Sequence, residues 1–208
     1  MKNVYVVNHP FVIDKISRLR DNGTNSQEFR RLVQEVSVIL AVEATSYCRL
    51  KEITVETPLE ITTGHIIVND IVLIPILRAG LGMIDGFLCL LPDTRIGYLG
   101  VHRDESTLKP VEYYKNLPGK LDHSEIFVLD PMLATGGSAA HSLTLIKRHG
   151  GRNITLVTVV SAPEGIELVT KNHPDVKIVT GIIDRELNEH GYILPGLGDA
   201  GDRLNGKN

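Results

Sequence analysis

The chain has 208 residues, 42% hydrophobic and 23% charged, enough for one α/β unit with a sizeable core. A net charge of −3 excludes a global pull toward nucleic acid or anionic membrane. The longest apolar runs, such as 71–77, are far too short to span a bilayer. The first residues are too short and too soon broken by Asn8-His9-Pro10 to be a signal peptide.

In chain order, Phe11, Ile13, Ile16 and Leu19 predict a short amphipathic helix stopped by Asp21-Asn22-Gly23. Thr24 with Gln27 reads as a capping box for a second helix. That helix carries Phe29, Leu32, Val33, Val36, Leu40, Ala44 and Tyr47 on one face, to pack on the core or on a second subunit. Residues 52–69 alternate polar and apolar around Pro58 and Gly64, an antiparallel excursion. The two cysteines, Cys48 and Cys89, sit in apolar stretches and are expected to be buried and reduced. The eight histidines show no zinc-ligand spacing.

From residue 71 the pattern changes to five apolar strand candidates, 71–77, 95–101, 125–130, 154–160 and 177–182, alternating with helices or loops. This predicts a parallel sheet core of about five strands with helices on both faces, preceded by N-terminal helices and followed by a small C-terminal hood. We divide the single unit as 1–70, 71–184 and 185–208. Such sheets bind ligands at the carboxyl ends of their strands, and chemistry-bearing residues lie there. Arg78-Ala79-Gly80 follows the first strand: a cation beside a turn with free N–H groups, an anion site. Its competitor is a dinucleotide reading of Gly80-x-Gly82-x-x-x-Gly86, against which Arg103 stands where an acid is needed. Residues 103–118 form a long polar segment with Pro110 and Pro118. There Arg103, Lys109 and Lys115 are cations that could close over a polyphosphate, and Tyr113 and Tyr114 could exclude water. Asp184-Arg185 follows the fifth strand.

The third strand ends at Asp130, and Pro131-Met132-Leu133-Ala134 turns into Thr135-Gly136-Gly137-Ser138 at a helix start. The glycines let several backbone N–H groups face one anion, the helix start adds about half a positive charge, and Thr135 and Ser138 add hydroxyls. Asp130 can accept hydrogen bonds from sugar hydroxyls. No Gly-Lys-Ser/Thr follows, so this is not a Walker loop.

The turn resembles the phosphoribosyl pyrophosphate (PRPP) motif of the type I phosphoribosyltransferases, with one departure: the second acidic position is Pro131. The uracil branch of that family commonly has this form. The tail, Gly191-Tyr192-Ile193-Leu194-Pro195-Gly196-Leu197-Gly198-Asp199-Ala200-Gly201-Asp202-Arg203, is similar to that branch's C-terminal signature. The resemblance covers 78–203. It implies transfer of the phosphoribosyl group of PRPP to N1 of uracil, giving UMP and diphosphate. It implies PRPP contacts from Arg78, Arg103, Asp130, the 131–138 turn and Asp199. Uracil contacts would come from Tyr192, Ile193, Gly198, Asp199 and Ala200, with Arg103, Asp130 and Asp199 in catalytic roles. A backbone strip offering N–H, C=O and N–H would complement O4, N3–H and O2 of uracil and reject cytosine. Magnesium would arrive on substrate oxygens, with no direct protein ligand. The resemblance also implies a GTP effector, a homo-oligomer (dimer or higher) and a cytoplasmic location. The alternative is a nucleic-acid-binding regulator of the same fold, which needs a basic face.

Overall fold

The computed structural model describes residues 3–103 and 110–206. A short strand β1 (Val4–Val6) leads into helices α1 (Pro10–Arg20) and α2 (Ser26–Thr45). A hairpin, β2 (Leu50–Glu56) and β3 (Ile61–Ile67), precedes β4 (Asp70–Leu77), α3 (Leu81–Leu88), β5 (Arg95–Ile96), β6 (Tyr98–Arg103) and β7 (Pro110–Asn116). Then come β8 (Ser124–Leu129), β9 (Met132–Leu133), α4 (Gly137–Arg148), β10 (Asn153–Ser161), α5 (Pro163–Asn172) and β11 (Lys177–Ile183). The end is a β-ribbon, β12 (Glu186–Leu187) with β13 (Ile193–Leu194), and helix α6 (Ala200–Asn205).

The main sheet runs β1-β11-β10-β8-β4-β6-β7, parallel throughout except that β7 returns antiparallel to β6. Four of the five expected strands are present as single strands, and the expected 95–101 strand is divided at Gly97 into β5 and β6, both beside β4. Both faces of the sheet centre are covered, which is why its strands read as continuous apolar runs rather than alternating ones. Leu73, Phe127, Leu129, Val157 and Val179 point to one side, into a core with α1, α2, α3 and α6. Val72, Ile74, Ile126, Val128, Leu156 and Ile178 point to the other, into a core with α4 and α5. The chain goes from β4 outward to β6, then back across β4 to β8. The crevice where that direction reverses lies at the carboxyl ends of β4 and β8.

Several local expectations change. The cap of α2 is Asn25, whose side chain accepts from the Glu28 N–H at 3.0 Å, while the Thr24 hydroxyl donates back to the Arg18 carbonyl at 2.7 Å. The stop of α1 thus uses the threonine that local pattern assigned to the next helix. The second helix packs on the core: Phe29, Leu32, Val33, Val36 and Leu40 are all buried. Residues 110–116, expected as loop, form β7. Cys89 is exposed, because it caps the end of α3 where the chain leaves the core. Cys48 is half-buried, and burial pushes its thiol up to about 11, aided by the Glu125 charge. No helix among the described residues is long and apolar enough to cross a membrane.

Candidate active site

Around the carboxyl ends of β4, β6 and β8 opens a cleft of about 610 Å³. The sheet end contributes Ile76, Leu77, Arg78, Ala79 and Val101, and the β8–α4 turn contributes Asp130, Met132, Ala134 and Ser138. Opposite stand Gly191, Tyr192, Ile193, Gly198, Asp199, Ala200 and Gly201 of the hood. Two stretches more than fifty residues apart in sequence therefore face each other across one space.

The phosphate-type turn is built by close backbone approach. Gly136 caps α4 with φ +80°, and a Cβ there would sit 2.8 Å from the Gly165 carbonyl oxygen. Gly165, in the first turn of α5, would carry its own Cβ only 2.3 Å from the Ala134 oxygen. The Ala162 N–H donates to the Leu133 carbonyl at 2.8 Å, tying α5 to the same turn. The N–H groups of the first turn of α4 have no intrahelical partner and lie beside Ser138 at the cleft. Pro131 and Leu133 are buried beneath: the Pro131 carbonyl accepts from the N–H groups of Val159 and Val160 at 3.1 and 3.0 Å. Of the expected turn residues, Met132, Ala134 and Ser138 line the cleft with Asp130, while Pro131, Leu133, Thr135, Gly136 and Gly137 do not line it.

Asp130 is half-buried at the cleft floor, and its Oδ1 accepts a long 3.4 Å bond from the Met132 N–H. Burial raises its carboxyl to about 7, against a small lowering by that N–H. Asp199 caps α6, its Oδ1 accepting from the Asp202 N–H at 2.9 Å. Both are hard oxygen donors facing one space, which suits a hydrated magnesium carried on an anionic substrate. Among the described residues no group of three His, Cys, Asp or Glu forms a metal cage.

The Arg78 loop follows β4 through a cis Leu77–Arg78 peptide. Arg78 is exposed at the cleft edge. At Gly80 a Cβ would lie 2.3 Å from the Leu129 oxygen, so the loop is pressed against β8. The other glycines of the dinucleotide-like spacing have packing roles. Gly82 sits against Leu204, and at Gly86 a Cβ would lie 2.6 Å from both the Gln34 oxygen and Ser37 Cβ, where α3 meets α2. The expected Arg103 ends β6, but its side chain lies outside the described residues, as do residues 104–109 with Lys109. Tyr113 lines the cleft, its ring beside Gly100. Tyr114 and Lys115 do not line it.

In the hood, the Asn188 side chain accepts from the N–H groups of His190 and Tyr192 at 3.0 and 2.9 Å, closing the turn that presents Tyr192. Gly196 and Gly198 have φ of +62° and +74°, the left-handed region that favours glycine.

Comparison with known proteins gives a consistent result. A family model described as uracil phosphoribosyltransferase matches residues 6–206. A uracil phosphoribosyltransferase of Fervidobacterium nodosum is 54% identical over 202 residues, spanning 97% of this chain and 98% of that protein. One of Salinibacter ruber is 48% identical over 206 residues, 99% and 98% of the two chains. A solved structure of a protein from Aquifex aeolicus superposes with a TM-score of 0.91 at 36% identity, covering 97% of each chain. A hypoxanthine-guanine phosphoribosyltransferase of Bacillus anthracis, at 13% identity and a TM-score of 0.51, shares the fold alone.

Proposed function

The chain belongs to the uracil phosphoribosyltransferase family, and from that we infer its reaction and propose the residues that carry it. It is an enzyme that transfers the phosphoribosyl group of PRPP to N1 of uracil, giving UMP and diphosphate, a pyrimidine salvage step. The observation that carries the assignment of roles is the opposition, across one cleft, of the Asp130–Ser138 turn and the Tyr192–Ala200 hood.

We assign the 5′-phosphate to the first turn of α4 and Ser138, where unpaired N–H groups and the helix dipole favour an anion. Asp130 accepts from the ribose hydroxyls. Arg78, Arg103 and Asp199 attend the diphosphate end. Magnesium, when bound, neutralises charge on the departing diphosphate. The transition state for such a transfer resembles an oxocarbenium ion, so the protein contributes positioning and charge stabilisation rather than covalent attack. Tyr192 lies against the base. The main chain at Ile193, Gly198 and Ala200 reads its edge, and Tyr113 restricts water.

The test is diphosphate release from PRPP with uracil, cytosine, hypoxanthine, adenine, orotate or no base. Release with uracil alone is expected, abolished by chelating magnesium and increased by GTP, which we propose as an effector. Release with another base would overturn the hood assignment. A rate indifferent to chelation or to GTP would remove that ligand.

We also propose a homo-oligomer, a dimer or higher. The β2–β3 hairpin exposes Leu50, Leu59, Ile61, Ile66 and Val68, and a two-stranded hairpin alone is marginal in water; a second copy would cover it. Sedimentation at micromolar concentration should give a dimer or larger, and a monomer would refute this. A cytoplasmic location fits two unpaired cysteines.

A further inference from the structure

Behind the hood lies a polar bracket that does not reach the cleft. Asp184, at the end of β11, is buried, its side chain 3% exposed. Arg20, the last residue of α1, meets it with a two-pronged pair: Nη1 to Oδ2 at 2.9 Å and Nη2 to Oδ1 at 2.6 Å. Both groups then grip one residue of the hood. The Gly196 N–H donates to Asp184 Oδ2 at 2.8 Å, and Arg20 Nη1 donates to the Gly196 carbonyl at 3.0 Å. Gly196 has room for no side chain, since a Cβ would lie 2.2 Å from the Ile193 oxygen. The next carbonyl, of Leu197, is held at 2.9 Å by Arg203 Nη1. The Arg203 guanidinium lies over the Phe29 ring at 4.3 Å and also donates to the carbonyls of Leu19 and Asp21. Two consecutive hood residues are thus clamped through their main chain to the carboxyl end of α1. Immediately after them come Gly198, Asp199 and Ala200, which line the cleft.

We propose that the Arg20–Asp184 pair is a positioning device for base recognition: it sets the depth and orientation of the Gly196–Ala200 main chain. Neither residue lines the cleft, so neither touches the base, and the effect passes through the peptide groups on either side of Gly196. The pair suits the task. A bidentate guanidinium–carboxylate fork is geometrically specific, and removing one buried partner leaves the other uncompensated. Backbone readout of a small planar base has no long side chain to absorb error, so a small shift of this strip changes which hydrogen bonds can form.

This inference rests on the reading that the hood takes uracil, and the experiment separates the two. Wild type, Arg20→Gln and Arg20→Lys are compared by steady-state kinetics with uracil and with PRPP varied in turn. The expected result for Arg20→Gln is a uracil KM raised about tenfold or more, with a clearly smaller change in the PRPP KM and in kcat, which depend on this strip through Asp199 alone. Arg20→Lys keeps the charge beside Asp184 but loses the fork, so it should fold as wild type does and show a smaller rise, again mainly in the uracil KM. A general loosening of the fold would instead move both KM values and kcat together; that result, or an unchanged uracil KM in a folded Arg20→Lys, overturns the proposal. If wild type does not use uracil at all, the functional reading fails before this one is reached.

Discussion

Gly165→Ala should lower kcat/KM for PRPP about a hundredfold while leaving the uracil KM near its wild-type value. The added methyl would lie 2.3 Å from the Ala134 oxygen and 2.9 Å from the Leu133 oxygen. Both are main-chain atoms, so no rotamer change relieves the contact. The β8–α4 turn must move outward by about 1 Å, and Gly136, which rests on the Gly165 carbonyl from the other side, moves with it. Displacements of that size in a substrate-positioning element cost about 10²-fold in rate, and overpacking of this kind costs about 1–3 kcal/mol of stability. Gly119→Ala is the matched control, because a Cβ there meets nothing within 4 Å. Wild-type PRPP kinetics in Gly165→Ala would show that the turn is not the donor site, or that α5 does not support it.

Gly165 marks where local pattern stops being informative. The five core strands were readable because burial on both faces leaves their centres mostly apolar, with only small hydroxyl residues such as Thr155, Thr158 and Thr180 among them, and the 135–138 turn because its glycines and hydroxyls are contiguous. Other features depend on partners far along the chain. β1 is three residues long and counts as a strand only because β11 offers it an edge. β7 starts at a proline and is largely exposed, so its sequence, PVEYYKN, reads as loop until paired with β6. Arg20 and Asp184 are 164 positions apart, and nothing near either one points to the other. Gly165 resembles any glycine early in a helix; its role appears only when Ala134 is placed against it. The same logic explains the dinucleotide-like spacing at Gly80, Gly82 and Gly86. Glycines are selected for close approach as readily by a neighbouring helix as by a phosphate, and spacing alone does not separate the two.

Asp130→Asn should move stability and activity in opposite directions. Burial raises the Asp130 carboxyl from 3.8 to about 7. Below pH 3.8 the folded and unfolded chains both keep the proton, and the group is neutral to stability. Between 3.8 and about 7 the unfolded chain releases the proton first, so the fold loses stability as pH rises, and the loss is complete above 7. Three units at 1.36 kcal/mol each set a ceiling of about 4 kcal/mol. Because the carboxyl is only half-buried and lines an open cleft, roughly 1–3 kcal/mol is the expected size. Asparagine removes the charge and still accepts from the Met132 N–H. Thermal unfolding should therefore show the variant more stable than wild type at pH 8, with the gap closing toward pH 4. A gap independent of pH would contradict the burial argument. Catalysis should suffer, since hydrogen bonds from ribose hydroxyls to a carboxylate are worth about 1.5–3 kcal/mol each. Losing their charge should lower kcat/KM for PRPP about a hundredfold. In wild type that constant should climb between pH 6 and 8 as Asp130 ionises, and the climb should vanish in the variant. A wild-type profile flat across that range would mean that the carboxyl is already ionised at pH 6, or that the ribose is held elsewhere.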